Sequence, residues 1–269
     1  LTNGWGATPA TALLALPSNN RLGYFARFVY TPAAADTPQP ELSPRRRSIA
    51  LGGLTVNTAL VPPDGTNELW ANGDSSGNAF GFYGYSLSNI FQLELAKGGW
   101  FQNVPATTAL ADTYTSSGAP QFRLGGKAVS LSPLHGFPLW VAGRISIGRE
   151  YPPGSGQGYA FAESILTWEA NSWLALNLNP KLAWSGVDTP WAIGFGANLQ
   201  LGRSFQLIPE ANLVASDLNQ SNGTLALRWL ASDLLKLDLY VGNSAGLLDM
   251  GQLLSLNQVR VGGRLILSF

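Results

Sequence analysis

Apolar and polar residues alternate one by one along much of this sequence. The last stretch places Val259, Val261, Gly263, Leu265, Leu267 and Phe269 on one side, and Gln258, Arg260, Gly262, Arg264, Ile266 and Ser268 on the other. Successive side chains of a β-strand point to opposite faces, so a period of two predicts strands with one apolar and one polar face. We therefore expect an all-β protein whose strands separate two different environments.

Ten such strands are predicted between residue 89 and the end of the chain. They are 89–97, 120–131, 138–149, 157–169, 174–184, 191–201, 203–216, 224–229, 235–242 and 258–269. Their connections alternate between short turns, such as 202–204 and 231–233, and longer loops, such as 98–119 and 243–256. Short turns at one end and long loops at the other are typical of transmembrane β-barrels.

The total strand count depends on the first 88 residues. The strand-like segments there are 20–31, 47–60, 66–73 and 78–87. All four together give fourteen strands, whereas leaving out 20–31 and 66–73 gives twelve, and an even number is expected in both cases. In the segment 47–60, the pair Gly52-Gly53 predicts a β-bulge.

Composition places these strands in a membrane. Charged residues make up only 12% of the chain, about half of the usual share. Only helices and closed barrels satisfy their backbone hydrogen bonds in lipid, and no apolar run is long enough for a helical span. We predict a single transmembrane antiparallel up-and-down β-barrel over 20–269, preceded by 1–19 as a tail, a lumenal segment or an extra strand.

The charge balance and the lack of cysteine exclude several functions. The 16 basic residues match the 16 acidic ones, which argues against a nucleic-acid partner. Without cysteine there is no thiol catalysis, disulfide or Cys-ligated metal. We predict no cofactor and no metal site.

The last nine residues, VGGRLILSF, resemble the C-terminal signal of Gram-negative outer-membrane proteins. Such signals usually end in Phe after alternate apolar residues. Phe269, Leu267 and Leu265 match this pattern, while Gly263 takes a position that an aromatic residue often holds. The resemblance implies location in the bacterial outer membrane, insertion by the barrel-assembly machinery, and contact with outer-membrane lipids, including lipopolysaccharide.

Charges on the predicted strands fall almost only on the face opposite the apolar one. A charge that faces lipid near the midplane costs about 2–4 kcal/mol, so these side chains are expected to face the lumen. The predicted pore-lining residues are Arg123, Lys127, Arg144, Lys181, Glu210, Arg228, Lys236, Asp238, Arg260 and Arg264, joined by Glu94 and Glu163. With eight basic and four acidic members, this set favours a porin-like channel for passive diffusion of small solutes with a mild preference for anions.

Two other functions stay open at this point. One is a structural or adhesive barrel whose lumen is filled. The other is an outer-membrane lipid-modifying enzyme, since His135, the one histidine, lies with Ser132 in the turn 132–138, and Ser–His pairs carry out acyl hydrolysis. Strand parity places this turn on the periplasmic side, whereas outer-membrane phospholipases act from the outer leaflet. The sequence therefore favours a satisfied or solvated turn histidine and no enzymatic activity. A soluble β-sandwich would need a more polar outer face.

Aromatic and basic clusters predict contacts with the membrane. The tryptophans near predicted strand ends are Trp100, Trp168, Trp173, Trp184, Trp191 and Trp229. Tryptophan is enriched at membrane–water interfaces, so we expect two aromatic girdles. The loop 31–47 ends in Arg45-Arg46-Arg47, which matches lipopolysaccharide phosphates if fourteen strands place this loop outside the cell.

Overall fold

In the computed structural model, a closed barrel of twelve antiparallel strands forms the protein wall. The structure describes residues 51–75, 77–100, 121–150, 158–184, 189–215 and 221–269. The strands are β1 (Asn67–Asp74), β2 (Asn78–Ser88), β3 (Phe91–Trp100), β4 (Gln121–Leu131), β5 (Trp140–Glu150), β6 (Gly158–Asn171), β7 (Leu174–Trp184), β8 (Trp191–Leu201), β9 (Phe205–Ala215), β10 (Asn222–Leu230), β11 (Leu235–Ser244) and β12 (Ser255–Ser268). One short helix, α1 (Met250–Leu253), lies between β11 and β12. Among these residues no helix is long and apolar enough to cross a membrane.

The strands form because the period-two pattern runs through most of their length. In β7, Leu176, Leu178 and Leu182 are exposed on the outside, while Asn177 and Lys181 between them are buried inside. The apolar outer face suits contact with lipid, and the backbone N–H and C=O groups form hydrogen bonds with neighbouring strands on both sides. This arrangement turns the alternation of the sequence into a lipid-facing surface and a polar interior.

The first and last strands close the barrel. The register of β1 and β12 pairs Glu68 with Ser268. At the seam, the Asn67 N–H donates to the Phe269 carbonyl at 2.7 Å, and the Phe269 N–H donates to the Asn67 carbonyl at 2.9 Å. The turns 202–204 and 231–234 lie at the same end as Phe269, whereas the loop 245–254 lies at the opposite end.

The structure confirms twelve strands, the alternative count, and not fourteen. The prediction of a strand at 66–73 is correct, since β1 occupies Asn67–Asp74. The prediction of a strand over 47–60 is wrong for 51–60, which form no strand. Apolar and polar residues of this stretch are nearly all buried by protein, and the Gly53 N–H donates to the Val56 carbonyl at 3.0 Å, so the alternation does not mark a strand here. The predicted strand 20–31, the segment 1–19 and the loop 31–47 lie outside the described residues.

Large aromatic side chains occupy the outer face near both ends of the strands. Trp184 and Trp191 are exposed at the barrel end that carries the loop 245–254. Trp168, Trp173 and Trp229 are exposed at the opposite end, which carries Phe269. The Trp100 side chain lies outside the described part of the chain. This distribution fits the expected pair of girdles at the two membrane interfaces.

Candidate functional site in the barrel lumen

A stretch of chain that precedes β1 lies inside the barrel. We call residues 51–60 the lumenal segment. Its carbonyl groups accept hydrogen bonds from basic side chains of the wall. The pairs are Arg228 with Gly52 at 3.0 Å, Arg264 with Gly53 at 2.8 Å, Lys181 with Thr55 at 2.7 Å and Lys127 with Leu60 at 2.7 Å. The segment therefore follows the inner wall from β10 and β12 across to β4.

A single carboxylate holds the first half of the lumenal segment. Glu210 of β9 accepts backbone N–H hydrogen bonds from Leu54 at 2.8 Å, Thr55 at 2.8 Å and Val56 at 3.1 Å. The Thr55 hydroxyl donates to the same group at 2.9 Å. A Cβ atom on Gly53 would lie 1.5 Å from the Glu210 Oε1 atom, so only glycine fits there. Backbone N–H groups that converge in this way form an anion-binding nest, and here the bound anion is a side chain of the same protein.

The second half of the lumenal segment combines polar and apolar contacts. The Asn179 amide donates to the Asn57 carbonyl at 3.0 Å, and the Ala59 N–H donates to the Thr167 hydroxyl at 2.8 Å. Ala59 and Leu60 then pack with Trp140, Ala142 and Ile165. The lumenal segment is thus fastened to the wall along its length.

The loop between β11 and β12 also turns inward. We call residues 245–254 the inward loop. The Asp249 carboxylate accepts hydrogen bonds from Arg123 Nε at 2.5 Å, Arg144 Nη2 at 2.9 Å, Ser146 Oγ at 2.5 Å and the Tyr159 hydroxyl at 3.1 Å. These donors stand on β4, β5 and β6, on the other side of the strand circle from β11. The inward loop therefore spans the lumen.

Other contacts join the inward loop to the lumenal segment and to the wall. Lys181 donates to the Gln252 side chain at 3.0 Å as well as to the lumenal segment. The Asn222 amide donates to the Gln252 carbonyl at 2.9 Å. Apolar residues of the loop and of the wall form one buried cluster, whose main members are Met250, Leu253, Leu254, Tyr159 and Phe161. In the described part of the chain, two separate segments thus occupy the lumen.

All ten predicted pore-lining side chains are buried, and their charges are used in contacts within the barrel. Asp238 is bound by Arg228 at 2.7 Å and by Arg264 at 2.6 Å. Arg260 pairs with Asp74 at 2.5 Å, and Lys236 donates to the Asp233 carbonyl at 2.9 Å. That these side chains line a conducting pore stays a prediction.

The sequence pattern missed three acidic groups of the interior. Glu68 is buried and accepts a hydrogen bond from the Gln92 amide. Asp74 pairs with Arg260, and Asp249 is fully buried. Among the described residues, the four predicted acids and these three make seven buried carboxylates, against the eight predicted basic groups. This near balance differs from the net positive lining that the sequence predicts. Glu68 and Asp74 lie on the same face of β1, the one that points inward. The alternation of residues along β1 therefore contains the information that places both of them in the interior.

Burial and charge act in opposite directions on Asp249. Burial alone would raise the pKa of its carboxyl group, but the guanidinium groups of Arg123 and Arg144 outweigh burial and hold that pKa below its usual range. Asp249 therefore stays ionised at neutral and mildly acidic pH. Its charge fixes the inward loop to the opposite wall.

The turn that contains His135 has a simpler geometry. The Ser132 hydroxyl lies 2.9 Å from His135 Nδ1. Ser132 is buried and His135 is exposed, at the same end of the barrel as Phe269. No hydrogen bond joins His135 to a carboxylate in the described ranges, and no group of three potential metal ligands is found there.

Comparisons with known proteins support the fold. The sequence matches no protein-family model and no curated protein. Among solved structures, the KdgM porin superposes with a TM-score of 0.54 at 9% identity, over 76% of this chain and 99% of that one. The KdgM porin in complex with disordered oligogalacturonate gives 0.55 at 10% identity, over the same shares of the two chains. The chain therefore has the fold of outer-membrane porins, which is that of an integral β-barrel of the outer membrane.

An enzyme of the outer membrane is also similar, but more loosely. Outer membrane phospholipase A from Escherichia coli matches with a TM-score of 0.46 at 11% identity, over 82% of this chain and 97% of that one. A superposition of this quality carries no argument about activity.

Proposed function

We propose that this protein is a gated porin-like channel for small solutes, closed at rest by the inward loop. The observation that carries the proposal is the reach of Asp249 across the lumen to Arg123 and Arg144. The function involves no covalent chemistry. Selection depends on the width of the opened lumen and on its charge.

The inward loop is the part of the closure that is able to move. It joins neighbouring strands, and Ser244 and Ser255 at its base pair with each other, so the barrel wall does not change when the loop swings out. The lumenal segment, in contrast, is bound by side chains from β4 to β12. Movement of the loop leaves Arg123 and Arg144 with Glu94 as the nearest acid. The opened lumen therefore gains positive charge, which supports a mild anion preference.

The test is single-channel recording in planar bilayers. We expect the unmodified protein to show brief openings from a mostly closed level. Asp249→Asn removes the charge that binds the two arginines and is expected to raise the open fraction by about tenfold, because a buried charge-assisted contact contributes roughly 1.5–3 kcal/mol. Asp233→Asn is the control, since it removes the same charge from an exposed turn. Closed traces for both the unmodified protein and Asp249→Asn, at every voltage, would refute the proposal.

The depressed pKa of Asp249 predicts how gating responds to acid. The contact of Asp249 with Arg123, Arg144 and Tyr159 is fully present above its unfolded pKa of about 3.9, and is lost only as pH falls through the lower folded value. Two further acids adjoin the cluster: Glu94 is bound to both arginines, and Glu163 lies 3.4 Å from Arg144. We expect the open fraction to be the same at pH 7 and pH 5. A rise within this range would show that another group controls the loop.

A structural barrel with a filled lumen is the second candidate, and the buried ion pairs favour it. The two functions differ in whether the inward loop ever leaves its place. The chain has no cysteine, so Met250→Cys provides one thiol in the loop, at a position that is 3% exposed. A gated channel predicts slow labelling by a water-soluble maleimide, faster in the Asp249→Asn background. A structural barrel predicts no labelling in either background.

A further inference from the structure

We propose that the wall groups that bind Asp249 form a binding site for the carboxylate of a permeating solute, which competes with Asp249 and so favours opening. This proposal rests on the gated channel proposed above and names the class of solute. Asp249 then acts as an internal occupant of a site that belongs to the wall.

The donors of the site converge on one carboxylate. Arg144 binds the Oδ1 atom of Asp249, whereas Arg123, Ser146 and Tyr159 all bind Oδ2. Every donor stands on a strand of the barrel wall, so the site persists when the inward loop leaves. Charged and neutral donors fixed in advance around two oxygen atoms are what selective recognition of a carboxylate requires.

The site has an unused donor. Arg123 is 3% exposed, and its Nη1 atom is buried without a hydrogen-bond partner in the described structure. The backbone of the inward loop fixes the position of the two Asp249 carboxylate oxygens, and neither of them bonds to Arg123 Nη1. A free solute that carries a hydroxyl or a second oxygen beside its carboxylate is able to use it.

Asp249 is an imperfect occupant for a second reason. Its backbone has φ 44° and ψ −115°, the one positive φ of a non-glycine residue in the described ranges. A backbone of this kind costs about 1–3 kcal/mol and persists only when surrounding contacts hold it. A free carboxylate binds the same donors without that cost, which makes displacement of the loop feasible.

The charge of the site selects for a single negative charge. Arg123 and Arg144 provide two positive charges, and Glu94 between them already neutralises one. Glu163 lies 3.4 Å from Arg144 on its other side. A carboxylate therefore fits better than a phosphate dianion, which would meet two glutamates.

The experiment replaces chloride by acetate at constant ionic strength in planar bilayers. For the unmodified protein, we expect acetate to raise the open fraction by about tenfold, within the usual range for coupling between a ligand and a conformational change. Inorganic phosphate at the same ionic strength is expected to raise it less. In Asp249→Asn the open fraction should no longer respond to acetate, which should instead reduce the chloride current in a saturable way by binding at the vacated site.

Two further measurements make the outcome decisive. Adding Arg123→Gln to Asp249→Asn removes the arginine that has the unused donor, and is expected to abolish the saturable reduction of current. Asp233→Asn should respond to acetate as the unmodified protein does. If Asp249→Asn opens the channel but acetate changes neither protein, the gated channel stands and the carboxylate site is refuted. Equal effects of acetate and phosphate also overturn selection for a carboxylate.

Discussion

Gly53→Ala is expected to detach the lumenal segment from the wall and to lower the free energy of unfolding by about 3 kcal/mol or more, the value of one or two hydrogen bonds to a charged group. The added methyl group would occupy the position of the Glu210 carboxylate, at 1.5 Å from its Oε1 atom. Glu210 must then move away from the N–H groups of Leu54, Thr55 and Val56. Both the carboxylate and these donors lose their partners inside the barrel.

Labelling of a single thiol measures this release directly. Val56 is fully buried, so Val56→Cys should resist a water-soluble maleimide in the otherwise unmodified protein. In combination with Gly53→Ala it should react rapidly. Gly143→Ala is the matched control, because nothing lies within 4 Å of the atom that it adds. Equal protection of Val56→Cys in both backgrounds would mean that Glu210 does not hold the lumenal segment.

Asp238→Ala is expected to destabilise the barrel by about 3–5 kcal/mol, since removing one partner leaves uncompensated buried charge. Asp238 binds both Arg228 and Arg264, and all three side chains are almost completely buried. The same two arginines hold the carbonyl groups of Gly52 and Gly53. Loss of one carboxylate therefore loosens two wall strands and one end of the lumenal segment together.

Denaturant unfolding in detergent micelles, followed by tryptophan fluorescence, provides the measurement for Asp238→Ala. Asp238→Asn should have a smaller effect, because the amide oxygen still accepts one hydrogen bond. Asp233→Asn, in an exposed turn, should leave the unfolding midpoint unchanged. A midpoint for Asp238→Ala that equals that of the unmodified protein would show that solvent reaches the two arginines.

The sequence was sufficient to predict the barrel wall, because lipid and lumen impose opposite demands on alternate residues. Where one face must be apolar, as in β7 and β12, the strand and its phase follow directly from the pattern. The same reasoning placed Arg144, Arg228 and Asp238 in the interior, where the structure finds them buried. Which of them pair with each other depends on strand register, which the pattern alone does not provide.

The contents of the lumen could not be predicted in the same way. Eight of the ten residues 51–60 are buried by protein, whatever their polarity, so the difference between lipid and water that marks the strands leaves no pattern in this stretch. One signal was present in small residues on the inner face of the wall. Ala183 and Ala192 pack against the inward loop, and a Cβ atom at Gly196 would lie 3.1 Å from the Val56 side chain of the lumenal segment. Small side chains at inward positions leave room for another piece of chain.

The lumenal segment also has a consequence for the order in which the protein assembles. It connects through residues 61–66 to Asn67, which pairs with Phe269 at the seam between β1 and β12. Its hydrogen bonds reach strands from β4 to β12, so they are complete only when these strands stand around it. Joining of the two terminal strands then encloses the segment. The seam that closes the wall is therefore also the place to which the contents of the lumen are tied through the chain.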